Sequence, residues 1–191
     1  MADEGKLDVV VICGSLRRRS YNAALARALP ALAPAGMALR DGPPFDRMPH
    51  YNHDIQDATG FPDEAIAFAD AIRAADGVII VSPEYNWSIP GALKNAIDWV
   101  SRMKDQPFKD KPVALQSAAG GVLGGARMQY HLRQSLISVD AILFGRPEIL
   151  VTFAATKFDE KTLELTHQPT IDIVRQQLAE LEKFIRRVGG K

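Results

Sequence analysis

The chain has 191 residues, of which 47% are hydrophobic, enough for one domain with a sizeable core. Lys and Arg number 23 and Asp and Glu 23, so the net charge is zero and no general basic field favours nucleic acid or an anionic membrane surface. One cysteine excludes an intrachain disulfide, and with no signal-peptide pattern or bilayer-length apolar run the expectation is a cytoplasmic protein that makes no contact with membrane.

Residues 1–6 form a polar leader expected to fray. Leu7–Cys13 is a β-branched run and reads as a buried strand. A loop follows, Gly14-Ser15-Leu16-Arg17-Arg18-Arg19-Ser20-Tyr21-Asn22. Ser20 then caps a helix whose apolar positions Ala24, Leu25, Ala28, Leu29 and Leu32 fall at helical spacing. Pro34, Ala35 and Gly36 stop it, and Met37–Asp41 reads as an outer strand. Residues 42–60 carry Pro, Asp, Asn and His without either period and are expected to be one long loop. Helical spacing returns over 61–75 through Ala65, Phe68, Ala69 and Ile72, then a continuous strand over 78–81. After a second polar loop over 82–90, Ser88, Pro90 and Gly91 open a helix through Leu93, Ala96, Ile97 and Val100. Residues 113–117 are a fourth strand and 118–125 a glycine-rich third loop. A helix through Ala126, Leu132, Leu136 and Val139 comes next, then a fifth strand over 141–144 and 148–151, interrupted by Gly145-Arg146-Pro147. Ile171, Val174, Leu178, Leu181 and Ile185 mark the last helix.

Strands alternating with helices at this spacing imply right-handed crossovers and an α/β fold. The expectation is one domain over 1–191: a flavodoxin-like three-layer sandwich, with a five-stranded parallel sheet in the order 2-1-3-4-5 and helices on both faces. The three polar loops, after strands one, three and four, then share the carboxyl edge of the sheet, where such folds bind ligands.

The first loop has the place and composition of a phosphate grip: a strand end, a helix start, hydroxyls, an amide and an arginine. It lacks the Lys-Ser or Lys-Thr of a nucleotide-triphosphate loop and the three spaced glycines of a dinucleotide fingerprint. Cys13 through Ser20 does satisfy the Cys-x5-Arg-Ser pattern of tyrosine phosphatases, in which Cys13 would be the nucleophile and Arg19 the phosphoryl clamp. The Asp-Pro pair that would supply the acid in a low-molecular-weight-type phosphatase does not occur.

Read with the stretch Pro83-Glu84-Tyr85-Asn86-x-Ser88-x-Pro90-Gly91-x-Leu93-Lys94-Asn95-Ala96-Ile97-Asp98-Trp99, the first loop resembles the NADPH-dependent FMN reductase family, with its quinone and chromate reductases. The resemblance runs from Val9 to the final helix. It implies noncovalent FMN, with the phosphate at Ser15, Arg17, Ser20 and Asn22, and with Pro83, Glu84, Tyr85 and Asn86 beside the ring and ribityl chain. It also places Ser117, Gly120 and Gly121 on the cofactor's far side. The implied activity is ping-pong hydride transfer from NADPH or NADH to bound FMN, followed by reduction of quinones, free flavin, chromate or a similar small acceptor. No side chain is required as acid or base, and no metal is expected. An electron carrier of flavodoxin type is the other reading, weakened by the neutral charge.

The resemblance further implies a homodimer or homotetramer, with Arg127, Tyr130 and Glu148 as a polar contact between subunits. Arg18 and Arg19 are expected to face solvent or the phosphates of the nicotinamide nucleotide. Trp87 is expected either to shield the ring or to pack, His50, Tyr51 and Asn52 to form a solvated loop tip, and Asp98 and Trp99 to pack the helix rather than act on substrate.

Overall fold

Strand β1 (Leu7–Cys13) forms where the sequence places its apolar run, and in the computed structural model, which describes residues 5–189, it lies near the middle of the sheet. Its neighbours are β2 (Met37–Asp41) and the fully buried β3 (Gly77–Val81). β3 in turn pairs with the equally buried β4 (Pro112–Ala118). The order is β2-β1-β3-β4-β5, all parallel, as the alternation of elements requires. Residues 1–4 of the leader expected to fray lie outside the described residues.

The fifth strand is broken as expected. β5 (Ile142–Leu143) pairs with Pro112 and Val113, and β6 (Ile149–Val151) resumes beside Gln116 to Ala118. Between Leu143 and Ile149 the chain uses more residues than β4 does between Val113 and Gln116, and the excess bulges out around a cis Arg146–Pro147 bond. Pro147 has no N–H for the ladder, while its carbonyl accepts from Gln177 Nε2 at 2.7 Å.

Alternate strand residues face opposite cores. Val10, Ile12, Val78, Ile80 and Leu115 pack under α3 (Asp63–Ala74), α4 (Gly91–Val100) and α5 (Ala126–Ile137). Val9, Val11, Ile79, Val81 and Ala114 pack under α1 (Tyr21–Leu32) and α6 (Gln168–Gly189). The result is three layers. Among the described residues no helix is long and apolar enough to cross a membrane.

Residues 42–60 are not a bare loop. They hold α2 (His53–Thr59), opened by Asn52, whose side-chain oxygen accepts from Asp54 N at 2.9 Å, and ended at Gly60 with φ 79°. α2 buries no residue, so it carries no apolar period to read; its caps alone mark it. The strap before it is fixed to the core. Phe45 and Met48 are buried, Trp99 Nε1 donates to Pro49 O at 2.7 Å, and Asn95 brackets the same turn through Pro49 O and Tyr51 N. Tyr51 packs edge-on against Trp99 and under Arg102, so it is half-buried rather than a solvated tip. Asp98 pairs with Lys94 at 2.6 Å on the same helix, and Trp99 is fully buried, in keeping with a packing role.

Candidate functional site

The carboxyl ends of β1, β3 and β4 bring three loops together, residues 14–20, 82–90 and 119–125. Three contacts weld them into one edge. The first is close approach: a Cβ on Gly14 would lie 2.5 Å from Ser82 Oγ and 2.9 Å from Ser82 Cβ, so the first two loops touch where only glycine fits. The second joins loops one and three, Asn22 Nδ2 donating to Ala118 O and Asn22 Oδ1 accepting from Ala118 N, both at 2.8 Å and buried. The third joins loop two to the helix that follows loop three, Glu84 Oε2 accepting from Met128 N at 3.1 Å in the first turn of α5. A carboxylate there takes up an orphan amide and meets the positive end of the helix dipole.

Within the first loop, Ser20 Oγ accepts from Asn22 N at 3.1 Å and Ala23 N at 3.4 Å, the N-cap that its sequence position requires. Ser20 and Asn22 are thus buried and committed to the protein's own amides. Ser15 is half-exposed and Arg17 exposed. Among the described residues, no acceptor takes the backbone N–H of Ser15 through Arg19, and no carboxylate pairs with Arg17. A row of open amides beside an open guanidinium suits a phosphate dianion. Arg18 and Arg19 are both exposed, as the solvent-facing reading expects, and Arg19 Nη2 also donates to Glu160 O at 2.7 Å. The segment it grips is held by Asp159, whose carboxyl accepts from Thr162 N and Lys161 N and is thereby held below the usual carboxylate range.

The phosphatase geometry is not formed. Burial pushes the Cys13 thiol up, the opposite of what a thiolate nucleophile needs, and Arg19 is occupied by main-chain carbonyls.

The second loop is a tight reversal. Tyr85 and Ser88 exchange two backbone hydrogen bonds at 3.0 and 2.9 Å, with Asn86 and Trp87 between them at φ 48° and 66°. Positive φ at both central positions is the type I′ turn; Asn suits the first, whereas Trp at the second is strained. Ser88 belongs to this turn and does not cap α4, which starts at Gly91 behind Pro90 with no side-chain cap. Arg127 lies 4.2 Å over the Trp87 ring with its Nη1 3.9 Å from Glu84, and His131 Nδ1 is 3.0 Å from Ser88 Oγ, so α5 carries the loop. Tyr85 is 49% and Trp87 65% exposed.

In the third loop Ser117 is fully buried; its Oγ donates to Gly124 O at 2.6 Å and accepts from Gln129 Nε2. Gly120 and Gly121 are exposed, with open space where side chains would stand. The glycines that the backbone demands are Gly124 and Gly125, both at positive φ and both pressed against Leu150 or Ser117. Phe153, 51% exposed, docks its N–H on Gly121 O and adds to the apolar rim of Leu16, Val122 and Leu123.

Of the eleven expected site residues, Ser15, Arg17, Pro83, Tyr85, Asn86, Gly120 and Gly121 lie along the loops of this edge. Ser20, Asn22, Glu84 and Ser117 lie behind it, hydrogen-bonded to the frame. Gly14 and the Gly124-Gly125 pair fall in the first and third loops read from sequence, but their tasks, close approach at Gly14 and positive φ at Gly124 and Gly125, were not among those expected; two glycines ahead of a helical run were the available signal. Arg127 and Glu148, expected at a contact between subunits, have partners within the chain: Glu148 pairs with Arg133 at 3.2 Å and Arg127 stacks on Trp87. Tyr130 stays exposed.

Residues 7–156 match the model of the NADPH-dependent FMN reductase family. A quinone reductase of Escherichia coli K12 is 49% identical over 183 residues, spanning 96% of this chain and 97% of that protein. An NAD(P)H-dependent FMN reductase of Pseudomonas aeruginosa is 41% identical over 190 residues, spanning 100% of both. Among solved structures, FerB, a flavoenzyme NAD(P)H:(acceptor) oxidoreductase from Paracoccus denitrificans, superposes with a TM-score of 0.84 at 30% identity, covering 95% of this chain and 98% of that one. The chain belongs to the NADPH-dependent FMN reductase family.

Proposed function

We propose that this member of the family is an FMN-dependent NAD(P)H oxidoreductase, the whole chain serving as one FMN-binding unit that reduces quinones, free flavin, chromate or similar small acceptors. The observation that carries the reading is the edge itself: three loops tied to one another and to the start of α5, open amides and Arg17 on the first loop, exposed Tyr85, Gly120 and Gly121 on the other two. Such an edge fits a long ligand with a phosphate at one end and a flat ring at the other.

Ser15, Arg17 and the loop amides would hold the phosphate, by hydrogen bonds and charge. Pro83, Tyr85 and Asn86 would line one side of the ring, while Gly120 and Gly121 leave the other side clear for a planar molecule. When bound, FMN supplies hydride acceptance from a nicotinamide and electron delivery to the acceptor. The protein's part is position: a rigid turn at 85–88, braced by α5, and main-chain donors that favour added negative charge on the ring. Glu84 keeps its carboxylate on Met128 N and beside Arg127, where it braces the loop.

The exposed apolar rim of Leu16, Trp87, Val122, Leu123 and Phe153 supports a homodimer or homotetramer that covers part of this edge. Sedimentation as a monomer at micromolar concentration would exclude it. The function is tested by identifying the flavin that purifies with the protein, then titrating it anaerobically with NADPH and NADH. Bleaching by either nucleotide and reoxidation by a quinone are expected; failure to bind FMN at micromolar concentration overturns the proposal.

A further inference from the structure

Asn22 occupies a place that a phosphate ligand would not. Its side chain is buried, and both polar atoms are taken by one residue's main chain: Nδ2 donates to Ala118 O and Oδ1 accepts from Ala118 N, each at 2.8 Å. The geometry points to a reason. β4 runs to Ala118, whereas β3 ends at Val81 and turns into Ser82-Pro83. Ser82 N still donates to Gln116 O at 3.0 Å, so even-numbered residues of β4 face the β3 side. On that side a continued ladder would pair Ala118 with Ser82 O and Glu84 N, and among the described residues neither bonds to it once the chain has turned away at Ser82-Pro83. A primary amide carries one donor and one acceptor side by side, as a peptide does. Asn22 supplies the missing rung.

We propose, on the reading of this edge as an FMN site, that Asn22 is a positioning residue that replaces one rung of β3 and fixes the first loop to the third, rather than a ligand of the FMN phosphate. The start of α1, and with it the Ser20 cap, is thereby fastened to the strand that leads into Gly120 and Gly121. A rung at this point sets the separation between the phosphate end and the ring end of the site. Its loss lets the two ends drift together, whichever part of a flavin is in contact.

The two roles separate on riboflavin, which has the ring and ribityl chain without the phosphate. Titrations of flavin-free wild type, Asn22→Ala and Arg17→Ala with FMN and with riboflavin, well below each protein's melting temperature, give the ratio of the two affinities. Arg17→Ala sets the phosphate pattern, FMN weakened and riboflavin unchanged. For Asn22→Ala both affinities are expected to fall by a similar factor, about tenfold for loss of a buried two-bond contact, leaving the ratio within about twofold of wild type. A variant matching Arg17→Ala, with riboflavin affinity retained, overturns the proposal. Unchanged affinity for both flavins overturns it as well.

Amide exchange in the flavin-free protein gives an independent measure: Ala118 N–H should lose protection in Asn22→Ala, and retention of wild-type protection refutes the rung. If Asn22→Ala does not fold, Asn22→Ser, whose hydroxyl can make one of the two bonds, takes its place in both measurements. Should wild type bind neither flavin, the FMN reading fails while the exchange measurement still decides the rung.

Discussion

Replacing Gly14 by alanine sets two effects of opposite sign against each other. Gly14 is not in the left-handed region, so its backbone accepts alanine, and the unfolded chain loses freedom, which favours the variant by about 0.4–1 kcal/mol. Against this, the new methyl would lie 2.5 Å from Ser82 Oγ, 2.9 Å from Ser82 Cβ and 3.1 Å from Leu93 Cδ2. Ser82 is fully buried and its hydroxyl donates to Pro83 O, so it has no room to withdraw. Overpacking of this kind costs roughly 1–3 kcal/mol, so the steric effect wins and Gly14→Ala is less stable by about 1–2 kcal/mol. For a chain of this length that lowers Tm by roughly 2–8 °C. Denaturant unfolding of flavin-free protein measures it, with Ser82→Gly alone and the double variant completing a cycle. Because two of the three close atoms belong to Ser82, Ser82→Gly should rescue Gly14→Ala, with a coupling of at least about 0.5 kcal/mol. A variant as stable as wild type, or strict additivity, would refute the idea that loops one and two are set by contact at this glycine.

Glu84→Ala removes the acceptor for Met128 N and the carboxylate beside Arg127, and should cost about 1–2 kcal/mol in urea unfolding, whereas Glu84→Gln, which keeps an acceptor, costs less. Equal losses would show that the cap is unimportant. Trp87→Gly relieves the strained second position of the turn, worth roughly 1–3 kcal/mol, at the loss of a stack worth about 0.5–1 kcal/mol, so stability should hold or rise. A fall of more than about 1 kcal/mol would contradict the strain. Asp159 has its carboxyl held below the usual range, first by Thr162 N, so its stabilisation is present above the unfolded value of about 3.9 and fades as pH drops through the folded value. Melting profiles of wild type and Asp159→Asn should therefore differ near neutrality and converge in acid, and a constant gap would reject the assignment.

The strands and the large helices could be read from sequence because their apolar residues are patterned: β3 is a continuous apolar run, β1 and β4 hold runs of four and three, and α1, α4 and α6 repeat apolar positions every turn. α2 could not, because it buries nothing and owes its existence to Asn52 and Gly60. The position of the site was legible for the same reason as the sheet, since loops after parallel strands share an edge. The tasks of individual polar residues were not. Asn22 finds its partner 96 residues away, and the partner is main chain, which any residue provides. Glu84 reaches Met128 N in the same way. No composition or spacing records a hydrogen bond to a backbone amide that distant.

α2 also bears on how such a chain tolerates change. The strap that precedes it is anchored independently, by Phe45 and Met48 in the core and by Trp99 on Pro49 O, while α3 begins its own packing at Ala65 and Phe68. The helix between these anchors is an arch that buries no residue and touches the strap through Gln56 Oε1, which accepts from Tyr51 Oη at 3.2 Å. Residues can be added to it, removed from it or exchanged for a tag there without reaching the sheet, which makes 53–60 the natural insertion point for a reporter in this scaffold.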